Sequence, residues 1–338
     1  MNMNDKPTLL FIATHLTPFG GANTVIAWSL QALKDTWDIT ILCADLPDFE
    51  GVDKHYGTQL SGSEFKYIQL ALPVRHLEKL DTDPFSFQRA SWSMRKCQSI
   101  SHQFDAVYAG EDEWDFGRRG VMYTHYPYMD KKLHTLEQVD GWPRWKRLLG
   151  MLTGKVRPWL VISGMQASRV RQNRIITNSH WTASEIRTHW KTDAEVVYPP
   201  VKWSGQPTPW EQRRLGFASI GRIDGSKRLP DLIRILSAVR AQGYEIEYDI
   251  IGDTDLVAGE AYLNKIKQLI AEAGDWVRLN HAVSRDRLEE IISSCRFGIH
   301  GMHNEHFGIG VAEMVRAGCV VFVHDSGGQV EIVGEHPL

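Results

Sequence analysis

The sequence predicts an α/β protein made of two parallel-sheet, Rossmann-like domains. Short apolar strands alternate with amphipathic helical stretches along most of the chain, the pattern of parallel sheets covered by crossover helices. The stretch Tyr198-Pro-Pro-Val-Lys-Trp-Ser-Gly-Gln-Pro-Thr-Pro209 has four prolines and no periodicity, and it divides the alternation into two runs. A chain of 338 residues is long enough for each run to bury its own core. The expected division is a first domain over residues 1–198, a linker over 199–216 and a second domain over 217–338.

In the first run, strands are expected at Thr8–Thr14, Asp38–Cys43, Lys66–Leu72, Asp105–Ala109, Val121–His125, Arg174–Asn178 and Glu195–Tyr198. Each is a short apolar segment, too brief for a helix and bounded by polar or turn residues. Helical patterns fall between them at Ala22–Lys34, Ser86–Gln103 and Trp181–His189. The second run reads as strand Phe217–Gly221, helix Leu229–Gln242, strand Glu247–Gly252, helix Ala261–Ala273 and strand Trp276–Leu279. Helix Arg285–Ser294, strand Arg296–His300, helix Ile309–Ala317 and strand Cys319–Val323 follow. Gly318 stands where a helix ends in a left-handed residue.

Bulk composition excludes several classes. Lys plus Arg total 38 against 41 acids, a net charge of −3, so no global basic field calls for nucleic acid. Cys43, Cys97, Cys295 and Cys319 are scattered, which fits a reducing compartment and neither a disulfide framework nor a CxxC metal site. The apolar opening Leu9–Ala13 is too short for a signal sequence, and no run approaches the roughly 20 apolar residues of a membrane span. The expected location is the cytoplasm, or the cytosolic face of a membrane.

The most informative segment is His303-Asn-Glu305-His-Phe-Gly308-Ile-Gly310-Val-Ala-Glu313-Met. A loop that opens a helix after a strand presents unpaired N–H groups and a positive dipole end to an anion. With carboxylates beside it to accept hydroxyl hydrogens, such a loop suits a ligand carrying phosphate at one end and polyols around it. A nucleotide sugar is such a ligand. Upstream, Ser219-Ile-Gly221-Arg222-Ile-Asp-Gly-Ser-Lys227 places two cations in a loop between a strand and a helix. Breaking a sugar–nucleotide bond pushes negative charge onto the departing diphosphate, so fixed cations there act chiefly in the transition state. A solvated charged loop is the plainer alternative.

Glu305 and Glu313 at this spacing, followed by Ala317-Gly318 and Ser326-Gly-Gly328-Gln-Val-Glu331-Ile-Val333, resemble glycosyltransferase family 4. These are retaining enzymes of GT-B architecture, two Rossmann-like domains facing across a cleft. The variant Asn-Glu-His-Phe-Gly-Ile-Gly-Val is most similar to the α-1,2-mannosyltransferases that extend lipid-linked oligosaccharides. The resemblance implies that Arg222 and Lys227 grip the diphosphate and that Glu305 orients hydroxyls of the transferred sugar. It also implies that Glu313 binds the ribose, while the N–H groups of Phe307, Gly308 and Ile309 complete the donor contacts. In the first domain it implies donor contacts from Gly20 and Gly21 in Thr17-Pro-Phe-Gly20-Gly21, and a place beside the donor sugar for His125 in Tyr123-Thr-His125-Tyr-Pro127-Tyr128. The implied donor is GDP-mannose, with a glycan or lipid-linked acceptor, no cofactor and no metal.

Family members continue by several elements past the Ser-Gly-Gly helix, so this chain, ending at Leu338, is expected to be a fragment or to have an abnormally short second domain. The expected second glycine is replaced in Gly252-Asp253-Thr-Asp255, and His281 stands where a glycine is usual, both flanking the base pocket; Gln329 replaces a proline. His300, His303, Glu305 and His306 raise a zinc alternative, although a glycine-containing loop does not fix them on one face. Residues 142–174 carry Arg144, Lys146, Arg147, Lys155, Arg157, Arg169, Arg171 and Arg174 with tryptophans and no acid. They read either as a peripheral membrane contact or as ordinary helices with a solvated cationic side. Two rival functions fit the same motifs: an inactive nucleotide-sugar binder, or a sugar-nucleotide epimerase of the same architecture.

Overall fold

The computed structural model describes residues 6–17, 20–70, 87–127, 139–153, 158–206, 208–254 and 259–334. It divides into two compact units, Met1–Pro200 and Val201–Leu338.

The first unit is a seven-stranded parallel sheet. Its strands are β1 (Thr8–Ile12), β2 (Asp38–Cys43), β3 (Lys66–Gln69), β4 (Ala106–Ala109), β5 (Val121–Thr124), β6 (Arg174–Thr177) and β7 (Glu195–Val196). Their order is β3-β2-β1-β4-β5-β6-β7, which reverses direction between β1 and β4. Its helices are α1 (Gly21–Leu33), α2 (Phe49–Tyr56), α3 (Phe87–Ile100), α4 (Arg144–Leu152), α5 (Pro158–Ser163), α6 (Ala167–Arg171) and α7 (His180–Trp190). β1 shows why the strands are uninterrupted apolar runs: Leu10 and Ile12 enter one core cluster, Leu9 and Phe11 the cluster on the opposite face.

The second unit repeats the scheme with β8 (Arg214–Ile220), β9 (Glu247–Gly252), β10 (Val277–His281), β11 (Cys295–His300) and β12 (Val320–Val323), in the order β10-β9-β8-β11-β12. The helices are α8 (Leu229–Arg240), α9 (Gly259–Ala273), α10 (Arg285–Ser294), α11 (Ile309–Arg316) and α12 (Val330–Val333). Its switch point lies between β8 and β11. Parallel sheets of this order bind ligands outside the carboxyl ends of the strands at that reversal.

Differences from the sequence reading have local causes. β8 begins at Arg214, inside the span assigned to a linker, because Arg213 and Arg214 are consumed by tertiary contacts. Arg213 donates to the carbonyls of Ala317 (2.7 Å) and Cys295 (3.3 Å), while Arg214 pairs with Glu247 (2.6 Å) and Asp249 (2.5 Å). Helix α2 had no expectation because its fully buried face is only Val52 and Tyr56, with Phe49 half-buried beside them. Its ends are explicit nonetheless: Asp48 accepts from the Gly51 N–H at 3.1 Å, and Gly57 closes the helix at φ 75°. β1 and β5 stop before Thr14 and His125, whose N–H groups bond to carboxylates of the β4 loop instead of continuing the ladders.

The basic stretch is also rearranged by tertiary structure. Arg147 is buried and donates to the carbonyls of Val139 (3.1 Å) and Met165 (2.9 Å). Arg169 pairs with buried Asp115 at 2.7 Å, and Arg174 with Glu195 at 2.7 Å. Lys155 and Arg157 lie outside the described residues. What α4 exposes is an apolar ridge, Trp145 (66%), Leu148 (41%), Leu149 (56%) and Leu152 (79%), at helical spacing and flanked by exposed Arg144 and Lys146. Among the described residues no helix is long and apolar enough to cross a membrane.

Backbone contact between the β8 and β9 ends fixes the floor beside the second switch point: a Cβ on Gly252 would fall 1.9 Å from the Gly221 carbonyl oxygen. Gly252→Ala is therefore expected to destabilise the protein by about 1–3 kcal/mol through overpacking, read as a lower melting temperature.

Candidate active site

The loops after β8 and β11 meet at the second switch point. The chain leaves β8 through Gly221 and makes a short 3-10 turn over Gly225–Lys227, where Asp224 accepts from the Ser226 N–H at 2.8 Å. This turn directs Lys227 inward, and its Nζ lies 2.6 Å from the Glu305 carboxylate. His300, at the end of β11, donates from Nε2 to the same Glu305 oxygen at 3.0 Å. Burial alone would push the Glu305 carboxyl up, but the His300 hydrogen bond and the Lys227 charge outweigh it and hold the group well below the usual carboxylate range.

Arg222 and Lys227, expected to act as a pair, have different settings. Both line one small pocket with Gly221, His300 and Gly301. The Lys227 side chain is 17% exposed and committed to Glu305, whereas Arg222 is 66% exposed with Asp224 at 3.7 Å. His300 had been weighed only as a zinc ligand. Here its ring is bonded to Glu305, and His303 instead stacks on His324 with ring centroids 3.7 Å apart. Among the described residues no group of three or more His, Cys, Asp or Glu is arranged to hold a metal ion.

Glu305 sits on a loop held by the following Ser-Gly-Gly segment. It forms an isolated parallel bridge with Gly327, and its carbonyl accepts from the Gly328 N–H at 2.7 Å. Gln329 is fully buried, and its Nε2 reaches the carbonyls of Met302 (2.9 Å), His324 (3.0 Å) and Ser326 (3.0 Å). The residue that departs from the family's proline thus ties the two loops together. Gly308 caps α11 at φ 99°, a conformation that disfavours side chains. It turns the chain so that buried Phe307 faces the core and Ile309 starts the helix, whose first N–H groups lack partners within the helix.

Glu313 lies one turn into α11 and is buried. Its carboxylate meets Arg285, the first residue of α10, and Arg285 also bonds Glu289 at 2.9 Å. Burial pushes the Glu313 carboxyl up, and Arg285 works against that shift. The sequence marked the start of α10 but gave no reason to connect it to Glu313, 28 residues away.

In the first unit, Gly20 caps α1 in an extended conformation, and Gly21 is its first residue. Pro18 and Phe19 of this motif, and Tyr128 of the other, lie outside the described residues. A Cβ at Gly20 would meet nothing within 4 Å, so space above the loop, not backbone strain, is what glycine provides. Tyr56 of α2 holds the Gly20 peptide from both sides, its hydroxyl accepting from the N–H at 2.8 Å and donating to the carbonyl at 3.1 Å. Across the first switch point, the loop after β4 carries Glu111 and Asp112. Burial pushes the Glu111 carboxyl up to about 7, against hydrogen bonds from Thr14. Asp112 accepts from the His125 N–H at 2.9 Å, and His125 Nε2 donates to the Gly110 carbonyl at 3.1 Å. Neither acid was expected at the site, although an acidic run directly after an apolar strand was the available signal.

The same fold is found in solved structures. Anabaena Alr3699/HepE, in complex with UDP-glucose, superposes with a TM-score of 0.62 at 15% identity, covering 97% of this chain and 83% of that one. WaaG, a glycosyltransferase involved in lipopolysaccharide biosynthesis, superposes with a TM-score of 0.58 at 16% identity, covering 96% and 83%. The fold is GT-B. Within this GT-B chain, residues 206–337 match the sequence pattern of the family described as Glycosyl transferases group 1. The similar curated proteins include GDP-Man:Man(3)GlcNAc(2)-PP-Dol alpha-1,2-mannosyltransferases. The Dictyostelium discoideum protein is 29% identical over 184 residues, 48% of this chain and 36% of that protein. The Candida glabrata protein is 28% identical over 231 residues, 64% of this chain and 45% of that protein. The matched stretch thus spans less than half the length of either relative.

Lys227→Met leaves Glu305 buried with His300 as its remaining partner. The expected loss at pH 7 is on the order of 2 kcal/mol, below the full cost of breaking a buried pair. The folded-state carboxyl is depressed, so the stabilisation it contributes is present above its unfolded value and lost as pH falls through the folded one. Thermal melts of wild type and variant should differ most above about pH 5 and converge as the solution is made more acidic. A gap that stays constant would assign the loss to packing alone.

Proposed function

We propose that this chain is a retaining hexosyltransferase of glycosyltransferase family 4, moving mannose from GDP-mannose to a lipid-linked oligosaccharide. The observation that carries the proposal is the Lys227–Glu305–His300 cluster at the β8/β11 switch point, with the start of α11 beside it. A cation, a helix N-terminus and an ionised carboxylate held together there suit a diphosphate joined to a hydroxyl-rich ring. The similar GDP-Man:Man(3)GlcNAc(2)-PP-Dol alpha-1,2-mannosyltransferases suggest the donor and the lipid-linked acceptor.

In this reading Lys227 and Arg222 take up the charge that develops on the diphosphate as the bond from sugar C1 to phosphate oxygen breaks. Glu305 holds sugar hydroxyls, Glu313 the ribose, and the N–H groups of Phe307, Gly308 and Ile309 the donor. Gly20, Gly21 and His125 serve the donor from the first unit. The acceptor oxygen bonds to C1 on the face the phosphate leaves, and its proton passes to the departing phosphate oxygen. Retention follows without a covalent enzyme intermediate. The diphosphate is neutralised by side chains, so the reaction needs no metal.

The exposed ridge of α4 fits the same acceptor. Trp145, Leu148, Leu149 and Leu152 would enter the headgroup boundary of a bilayer, while Arg144 and Lys146 meet anionic headgroups. This is a peripheral contact, made by one helix and not by the whole 142–174 stretch.

Incubation with labelled GDP-mannose, UDP-glucose and UDP-N-acetylglucosamine, with and without lipid extract, tests the activity. Transfer from GDP-mannose that requires lipid extract and persists in EDTA is expected. Acceptor-free isomerisation would instead mark an epimerase, and binding without turnover an inactive binder. Glu305→Gln should lower kcat by at least about a hundredfold, the scale of losing one preorganised transition-state contact. In flotation assays the protein should bind vesicles of phosphatidylcholine with phosphatidylglycerol more strongly than phosphatidylcholine alone. Combined Trp145→Ser, Leu149→Gln and Leu152→Gln should remove binding to both. Equal binding by that variant would dismiss the ridge.

A further inference from the structure

Arg285 has no part in the reading above, yet its guanidinium is fully engaged. One Nη bonds the Glu313 carboxylate at Oε1, the Nε bonds Glu289 at 2.9 Å, and the other Nη bonds the Lys202 carbonyl at 2.5 Å. Glu289 is itself buried and accepts from the Gly205 N–H (2.9 Å) and the Ser204 hydroxyl (2.9 Å). Two buried carboxylates and the 202–205 segment therefore share one cation. Such a group is costly to bury unless every member is bonded, and removing Arg285 takes its compensation from both carboxylates.

We propose that Arg285 is a positioning residue for nucleoside recognition: it keeps Glu313 ionised and aimed at the ribose hydroxyls of the donor, and ties that aim to the 202–205 segment. The inference rests on the reading of Glu313 as the ribose carboxylate. A guanidinium is a planar fork, so three fixed acceptors leave it one orientation, and the carboxylate facing it inherits that orientation. The bond uses Oε1, which leaves acceptor positions on Oε2 for a vicinal diol. Charge matters as much as direction. Burial favours the protonated acid at Glu313, and Arg285 is the group that opposes this. An acid that spends its proton in the protein is a poorer acceptor for two hydroxyls than an anion.

The test is a comparison of GDP with 2′,3′-dideoxy-GDP by calorimetry, on the full chain in wild type, Arg285→Gln and Arg285→Lys. Wild type should prefer GDP by roughly tenfold or more, as expected when buried acceptors lose their hydroxyls. Arg285→Gln should lose at least that factor for GDP and change less than twofold for the dideoxy compound. Its GDP affinity should also need a higher pH, because Glu313 then holds its proton longer. Arg285→Lys keeps charge without the fork and should fall between; it carries the same comparison if the glutamine variant does not fold. Equal weakening of both nucleotides in either variant would overturn the proposal and leave Arg285 a structural residue. Glu313→Gln separates the two levels. If wild type does not discriminate, or this variant still does, the ribose assignment itself fails, and the role of Arg285 with it. The same comparison with UDP and its dideoxy form applies if GDP does not bind, and binding of neither nucleotide defeats both readings.

Discussion

A lysine from the loop after β8 and a carboxylate from the loop after β11 meet 2.6 Å apart, and most of the second unit's local geometry serves that meeting. Two neighbouring parallel strands must end level, their loops must turn toward one another, and the intervening backbone must leave no gap. Gly301 provides the closeness, since a Cβ there would fall 2.8 Å from the Lys227 carbonyl oxygen. His300 provides a second donor, so that the ionised carboxylate does not depend on one ammonium. A charged pair this poorly hydrated is tolerated only with such support. That cost fits the proposed role of this place in receiving a charged ligand.

The two carboxylates of the motif are both ionic partners, but their surroundings set them apart. Glu305 is surrounded by donors and held as an anion. Glu313 has one cation, which it shares with Glu289, and burial tilts it toward protonation. One is thus held as a negative charge, while at the other Arg285 works against the protonation that burial favours.

The alternation of strands and helices was readable because the central strands of both sheets, such as β1 and β2, are buried and read as apolar runs between periodic helices. The chemistry-bearing loop was readable because Glu305, Gly308 and Glu313 are close in sequence. Partners distant in sequence were not. In the sequence His300 stands out only within a zinc alternative, Arg285 only as the start of a helix, and Arg147 only as one cation of a basic stretch, because burial and pairing are tertiary facts. Arg213 and Arg214 hid the start of β8 for the same reason, their charge being spent on carbonyls and carboxylates brought in by other strands. Helix α2, which steadies Gly20 through Tyr56, was missed because two buried residues make too faint a stripe, although its caps were legible.

Gln329 has a mechanical consequence. One primary amide clasps carbonyls from the stretch before Glu305 and from the stretch after β12, so these two segments behave as a single plate. Under the proposed role of Glu305, a sugar that pushes on its carboxylate pushes through that plate on α12 as well. In that proposal, a hexose with one hydroxyl inverted would meet resistance where an untied loop would yield, and discrimination between epimeric sugars would rest on rigidity as well as on hydrogen bonds.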